Sequence, residues 1–543
     1  MAPATAFLMD HIPYALALAL LGLYLAQLVI ANLIRNRVQE KQWAEVESKL
    51  ETVGASRGPF RWTRRFTSAV FSMPSTATAG YNKFCKALNR PFVLPTTWTG
   101  RAIVVAPPSA LHKLMTRPDK GLAGTGSDIT HIIGLIEAIQ LPYIISDPDI
   151  YMNALHFDVV RRQMTKKHMP FFAAMTADEI EAAFGDIWGT SKEWTTINGW
   201  DMCGRIIART AERMMLGLPW GRDETLLEAS RLYANSVLLG GAVMNCFPPF
   251  LRGVAGPLIA LRAKYYQKRC VKILIPIIEE RMAIYRGEKK VEEVPEDFIQ
   301  WLIATCDKDG PHQMFADRIA NRLIALMTPL IFAVCYVFAH TVLDIYGNPD
   351  REEFIQGLED EAKRVSSLHN GLATAEAVDE LYRFDSAIRE SMRKSDVSVT
   401  SLHRDVTSGE MDLGNGIIIG EGVRVGFPTQ NIHMDPDNYH EPGRYDAFRF
   451  SRPFEGIDEA SRKTDEAPER ELITTPTQSF LPLGYGRHAC PGRWFAANTM
   501  KQALAFIVMN YDLELIGKPI KRQSLLNTMV PPVDAQIRIR RKS

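Results

Sequence analysis

One cysteine stands apart from the other six in this 543-residue chain. Cys490 lies in Leu483-Gly484-Tyr485-Gly486-Arg487-His488-Ala489-Cys490-Pro491-Gly492, and a helix-forming stretch, Trp494 to Met509, follows it. Glycine at 484, 486 and 492 lets the backbone fold tightly beneath a flat ligand. The N–H groups of such a turn, and the N-terminus of the helix after it, stabilise a thiolate. A lone cysteine at a helix start is ordinarily a buried structural residue. The Gly-x-Gly-x-x-x-Cys-x-Gly spacing points instead to an anionic sulfur presented to a ligand. Glu390 and Arg393 stand i, i+3, so both project from one helix face. By itself such a pair is usually a surface ion pair.

A thiolate held this way is the axial ligand used on haem iron where O–O cleavage is wanted. The segment resembles the haem-binding signature of the cytochrome P450 family, Phe-Gly-x-Gly-x-Arg/His-x-Cys-x-Gly, with Leu483 in place of the leading aromatic. The resemblance implies haem b with Cys490 as its metal ligand, and a propionate contact from His488. Glu390-Ser391-Met392-Arg393 resembles the family's Glu-x-x-Arg helix motif. Tyr445-Asp446-Ala447-Phe448-Arg449-Phe450 resembles the segment that completes a buried Glu–Arg–Arg cluster. A fold-holding role follows for Glu390, Arg393 and Arg449. Leu402-His403-Arg404 resembles the site of a propionate-binding arginine. His156 to Arg161 looks like the helix that supplies another such contact; with Arg162, Lys166 and Lys167, its basic residues read equally well as a solvated face. Electrons are then expected from NADPH through an NADPH–cytochrome P450 reductase, docked where Arg487, Arg493 and Lys501 offer positive charge.

The chain departs from the family where the distal proton relay belongs. Counting back from Leu343-Asp344-Ile345 and Pro349, the family's Ala/Gly-Gly-x-Asp/Glu-Thr segment falls on Pro329-Leu330-Ile331-Phe332-Ala333-Val334. Phe332 takes the place of the acid or histidine, and Ala333 that of the threonine. Proton delivery of that type is typically worth about 10²–10⁴-fold in rate. Its loss predicts uncoupling, with peroxide or superoxide released. Pro329 removes one i→i−4 bond and predicts a kink. A register eight residues further on would make Ala339-His340-Thr341 the relay, and Thr328 and Tyr336 are other local donors. Two readings follow: monooxygenation of a hydrophobic terpenoid or polyketide intermediate, or a redox-neutral, haem-dependent isomerisation, dehydration or cyclisation. A third, a haem- or lipid-binding protein without activity, carries less of the pattern. The C-terminal PPVDAQIRIRRK and GRHACPGRWFAAN segments look most like fungal membrane-bound members of secondary metabolism, such as ent-kaurene and gibberellin oxidases.

The elements that must position these residues are mostly helical. Helical patterns cover Asp178–Trp188, Met202–Leu216, Leu226–Leu239, Leu258–Glu288, Arg318–Tyr346, Arg351–Leu368 and Ala377–Lys394. Strand signals are confined to Arg101–Val105, Gly416–Val425 and Ala535–Arg540. No internal repeat or long linker divides residues 60 to 543. The fold class is mainly α with minor β, a cytochrome P450 fold in one large domain. Residues 12–34 form an uncharged apolar run of 23 residues, about 34 Å as a helix and long enough to span a bilayer. A cleaved signal peptide is the competing reading, but it needs a basic leading flank. Asp10 precedes the run, whereas Arg35, Arg37 and Lys41 follow it. Residues 1–11 are then lumenal, 12–34 a single transmembrane anchor, 35–58 a juxtamembrane linker, and 59–543 a cytosolic catalytic domain at the endoplasmic reticulum. Leu323 to Phe338 is shorter and bounded by Arg322 and His340, which predicts a buried core helix.

Composition narrows the rest. Lys+Arg 63 against Asp+Glu 62 leaves a formal net charge of +1, without the basic excess that nucleic-acid binding needs. Seven cysteines without close spacing exclude a disulfide scaffold and a CxxC metal or redox motif.

Overall fold

The computed structural model describes residues 43–54, 60–96, 102–116, 128–130, 141–145, 147–395, 397–414, 416–455, 469–517 and 521–543, with scattered positions between 22 and 41. Its axis is one helix, Ala316–Tyr346, of 31 residues. Leu323, Ile324, Met327, Ile331, Phe338 and Val342 bury different sides of it. A helix apolar all round is stable in water only when protein covers it. Among the described residues it is the one helix long and apolar enough to cross a membrane, yet 67% of its most apolar stretch is buried inside the protein.

Helices Gly199–Leu216, Glu224–Asn245, Leu261–Tyr285 and Tyr382–Lys394 pack around it. Several start at side-chain caps that take an otherwise orphaned N–H. Asn198 accepts from Asp201 N, Asp223 from Leu226 N, and Asp297 from Gln300 N of the Phe298–Asp309 helix. The helix after Cys490, Arg493–Asn510, lies against the central one. Phe495 shares a core with Ile331, and Ala497 shares another with Val334.

Among the described residues two larger sheets and two two-stranded ribbons accompany the helices. The larger runs Phe92–Pro95, Ala102–Val105, Arg424–Phe427, Ser401–Ser408, Asp128–Thr130, antiparallel except between Ala102–Val105 and Arg424–Phe427. A three-stranded sheet places Gln536–Arg541 between Thr195–Asn198 and Tyr511–Ile516.

The helical patterns locate the elements but not all their ends. The pattern over Leu258–Glu288 is two helices, Pro249–Ile259 and Leu261–Tyr285. Ala377–Lys394 divides into Ala375–Asp379 and Tyr382–Lys394. Most of the 12–34 run lies outside the described residues; Gly22, Ala26, Gln27, Ile30, Leu33 and Ile34 are described, and each is helical and exposed. Residues 43–54, expected within the linker, pack onto the larger sheet instead. Trp43, Val46 and Leu50 are buried there, and Val53 N–H donates to the Val93 carbonyl at 3.0 Å.

Candidate active site

The Cys490 turn closes on itself. Cys490 N–H donates to the Leu483 carbonyl at 2.7 Å, and Gly484 N–H to the Leu481 carbonyl at 2.9 Å. Gly484 and Gly486 sit at φ +79° and +66°, a region that side-chain-bearing residues avoid. Space demands glycine too, since a Cβ on Gly486 would stand 2.7 Å from the Met115 carbonyl oxygen. Gly492 faces the Leu155–Gln163 helix, where a Cβ would lie 3.8 Å from Val160 Cγ1.

Cys490 is half-buried, and so are its neighbours from 488 to 494, although Leu481 before them and Phe495 after them are fully buried. Burial pushes the thiol's pKa up, while the Gly492 and Arg493 N–H groups and the Arg493 guanidinium draw it down. Arg493 also donates through Nη1 to the Cys490 carbonyl at 2.8 Å. A cation on the sulfur would tip that balance to the thiolate. A tight glycine turn that holds one half-buried cysteine at a helix N-terminus fits a haem held by Cys490.

The central helix carries an apolar stretch at 329–334. Pro329 is exposed, and Leu330, Phe332, Ala333 and Val337 are half-buried, in a helix otherwise buried from Arg322 to Tyr346 except at Asp344. Phe332 meets the Trp200 ring edge-on at 5.7 Å and stacks with Tyr336 at 6.3 Å. Neither an alcohol nor a titratable group stands at 329–334.

The cytochrome P450 family profile matches residues 141–539. The chain belongs to the cytochrome P450 family. It is 30% identical to the cytochrome P450 monooxygenase gloP of Glarea lozoyensis, over 93% of this chain and 90% of that protein. It is 33% identical to the cytochrome P450 monooxygenase htyF of Aspergillus rugulosus over 96% of this chain and 76% of that one, and 29% identical to nodZ of Hypoxylon pulicicidum over 86% of each. At family level this P450 is a haem-thiolate monooxygenase.

The structure brings Glu390, Arg393 and Arg449 of the P450 together. Arg393 donates to both oxygens of Glu390 at 2.7 Å, and Arg449 Nε lies 3.1 Å from Glu390 Oε1. Arg393 Nη1 also donates to the His433 carbonyl at 2.6 Å. His433 is a residue that motif reading missed. Its Nε2 accepts the Leu481 N–H at 2.9 Å, so the cluster is fastened to the chain just before the cysteine turn. Burial, with Arg393 and Arg389 nearby, holds the imidazole pKa down to about 3, which keeps that nitrogen an acceptor. No spacing signal in the sequence marks this contact.

Arg404 is buried on its strand, and its Nη1 donates to the His403 carbonyl at 2.8 Å. His488 is half-buried within the turn. Arg161 is half-exposed and pairs with Asp158 at 2.8 Å, one turn back on its own helix. Of the three cations expected at the reductase face, Arg487 is exposed and Arg493 half-buried. Lys501 is buried, its Nζ 3.6 Å from Asp385 Oδ2. A cation with a buried carboxylate to pair with stays inside, so Lys501 is removed from the docking surface. The central helix is continuous through Pro329. Thr341, the alcohol of the later register, is fully buried and spends its hydroxyl on the Val337 carbonyl at 2.9 Å. Thr328 is buried.

Proposed function

We propose that this P450 is a membrane-anchored monooxygenase that oxidises a hydrophobic small molecule, a terpenoid or polyketide intermediate of fungal secondary metabolism, with electrons from NADPH delivered by a cytochrome P450 reductase. The observation that carries the reading is the half-buried Cys490 on its tight glycine turn, at the start of a helix that packs against the apolar central one. Bound haem would supply the oxygen-activating chemistry. Cys490 would ligate it from below, with Gly484, Gly486 and Gly492 letting the backbone pass close beneath. His488 and Arg404 would hold its propionates; Arg161 would do so by leaving Asp158. Pro329, Leu330, Phe332, Ala333 and Val337 would exclude water and orient an apolar substrate. Residues 12–34 would anchor the chain in the endoplasmic reticulum with residues 59–543 in the cytosol, supported by the helical, exposed apolar residues at 30, 33 and 34.

A second reading has its own support. Phe332 and Ala333 leave no acid–alcohol pair on the distal side, which suits a redox-neutral isomerase, dehydratase or cyclase using the same haem. The reduced, CO-bound absorption spectrum tests the cofactor: a thiolate-type Soret band is expected, and Cys490→Ala should abolish it. A colourless protein that takes up no haem overturns both readings. Turnover under nitrogen without NADPH separates them, since product there eliminates the oxygenase.

A further inference from the structure

The stripe of the central helix that carries Ala333 does not stay apolar. Tyr336, His340 and Asp344 follow at i+3, i+7 and i+11, which places all four on one face. At 1.5 Å per residue the stripe is about 16 Å long. The rings of Tyr336 and His340 meet edge-on, with centroids 4.6 Å apart. His340 is buried, and its Nε2 has no hydrogen-bond partner in the structure. At the far end a cavity of about 330 Å³ opens against His340 and Asp344, lined also by Asp350, Lys394, Arg444 and Arg522. That is room for several waters in polar surroundings. Asp344 is fixed there by Ser391 Oγ at 2.7 Å and by both its oxygens to Arg522. A buried imidazole nitrogen without a partner costs stability, and one lying between a polar cavity and the distal helix face suits a relay.

We propose that His340 and Tyr336 form a proton inlet along the central helix, admitting protons from the Asp344 cavity to the distal side and replacing the acid–alcohol pair missing at Phe332 and Ala333. The inference rests on the oxygenase reading, which is what consumes protons. One proton enters at one ring nitrogen of His340 from cavity water. The other ring nitrogen releases one toward the Tyr336 hydroxyl, which passes its own to distal water. Charge is unchanged along the file, and the imidazole resets by exchanging tautomers. Burial and the Arg522 guanidinium, working against Asp344, lower the His340 pKa to about 4, so the ring is neutral at working pH and both gives and accepts.

Two measurements on the full-length holoprotein test this. The first does not involve turnover: deuterium exchange at the imidazole C2 position, read by mass spectrometry. His433, equally buried but bonded to Leu481 N–H, is the internal reference. His340 is expected to exchange at least several-fold faster; exchange as slow as that of His433 means that water does not reach the ring and overturns the inlet. The second uses His340→Phe, which keeps an aromatic ring against Tyr336, and Tyr336→Phe. Each is expected to raise peroxide released per NADPH at least twofold and to change the solvent isotope effect on turnover, with the CO-bound Soret band intact. Unchanged peroxide yield and isotope effect in both variants overturn the proposal. Should wild-type protein form product without oxygen, the oxygenase reading fails, while the exchange result still decides whether water reaches His340.

Discussion

His433 joins the Glu390 cluster to the cysteine turn: its carbonyl takes Arg393 Nη1 at 2.6 Å, and its ring takes Leu481 N–H at 2.9 Å. Leu481 in turn accepts from Gly484 in the cysteine turn. His433→Ala leaves a buried N–H without its acceptor, a loss of about 1–3 kcal/mol. The expected result is a lower unfolding midpoint together with faster haem transfer to a scavenger. A stability loss with no change in haem release would confine His433 to general packing.

Glu390 and Arg393 are both fully buried. Removing the carboxylate in Glu390→Ala strands a buried guanidinium, at a cost of about 3–5 kcal/mol. Arg449 is less buried and bonds mainly to carbonyls of His440 and Arg444, so Arg449→Ala is expected to cost less, about 1–2 kcal/mol. Denaturant titration of the two variants checks the order; a reversal would place the principal charge partner of Glu390 elsewhere.

Ala333→Thr restores an alcohol on the half-exposed face of the central helix. Without an acidic neighbour, and with protons arriving along the His340 inlet, it is expected to raise product per peroxide only a little, well below the usual proton-delivery gain of about 10²–10⁴-fold. Simultaneous assay of NADPH, peroxide and product reads it. A gain of about 10²-fold or more would mean that no other route delivers protons in the wild-type protein.

Glu212 lies fully buried, bonded to Ser230, with burial raising its pKa from 4.5 to about 8. Its folded form therefore holds a proton that the unfolded chain gives up above about pH 4.5. Between those two values stability falls as pH rises, by up to about 1.4 kcal/mol per pH unit, and it levels above pH 8. Unfolding midpoints from pH 5 to 8 are expected to show this slope, and Glu212→Gln to flatten it. An equal slope in the variant would assign the effect to another group.

Local chemistry makes part of this P450 legible in the sequence. The glycine spacing around Cys490 and the i, i+3 pair Glu390–Arg393 are short-range patterns, and the structure gives them a tight turn and a two-pronged ion pair. The apolar length of the central helix is readable for the same reason, since its own composition dictates burial. Breaks such as those at Ala260 and near Leu381 are not readable, because apolar periodicity continues across them. The strands Thr195–Asn198 and Tyr511–Ile516 escape as well: they pair with Gln536–Arg541, hundreds of residues from the first and some twenty from the second.

Residue type alone determined the family, the iron-ligating sulfur expected at 490, and the absence of an acid–alcohol pair at 332–333. Only the tertiary structure decided that Lys501 turns inward to Asp385, that His433 couples the Glu390 cluster to the cysteine turn, and that Tyr336 and His340 lead from Ala333 to a polar cavity. The physical reason is range. Backbone conformation and helix-face spacing act over a few residues, whereas the burial of a charge or an imidazole depends on what a distant segment brings against it.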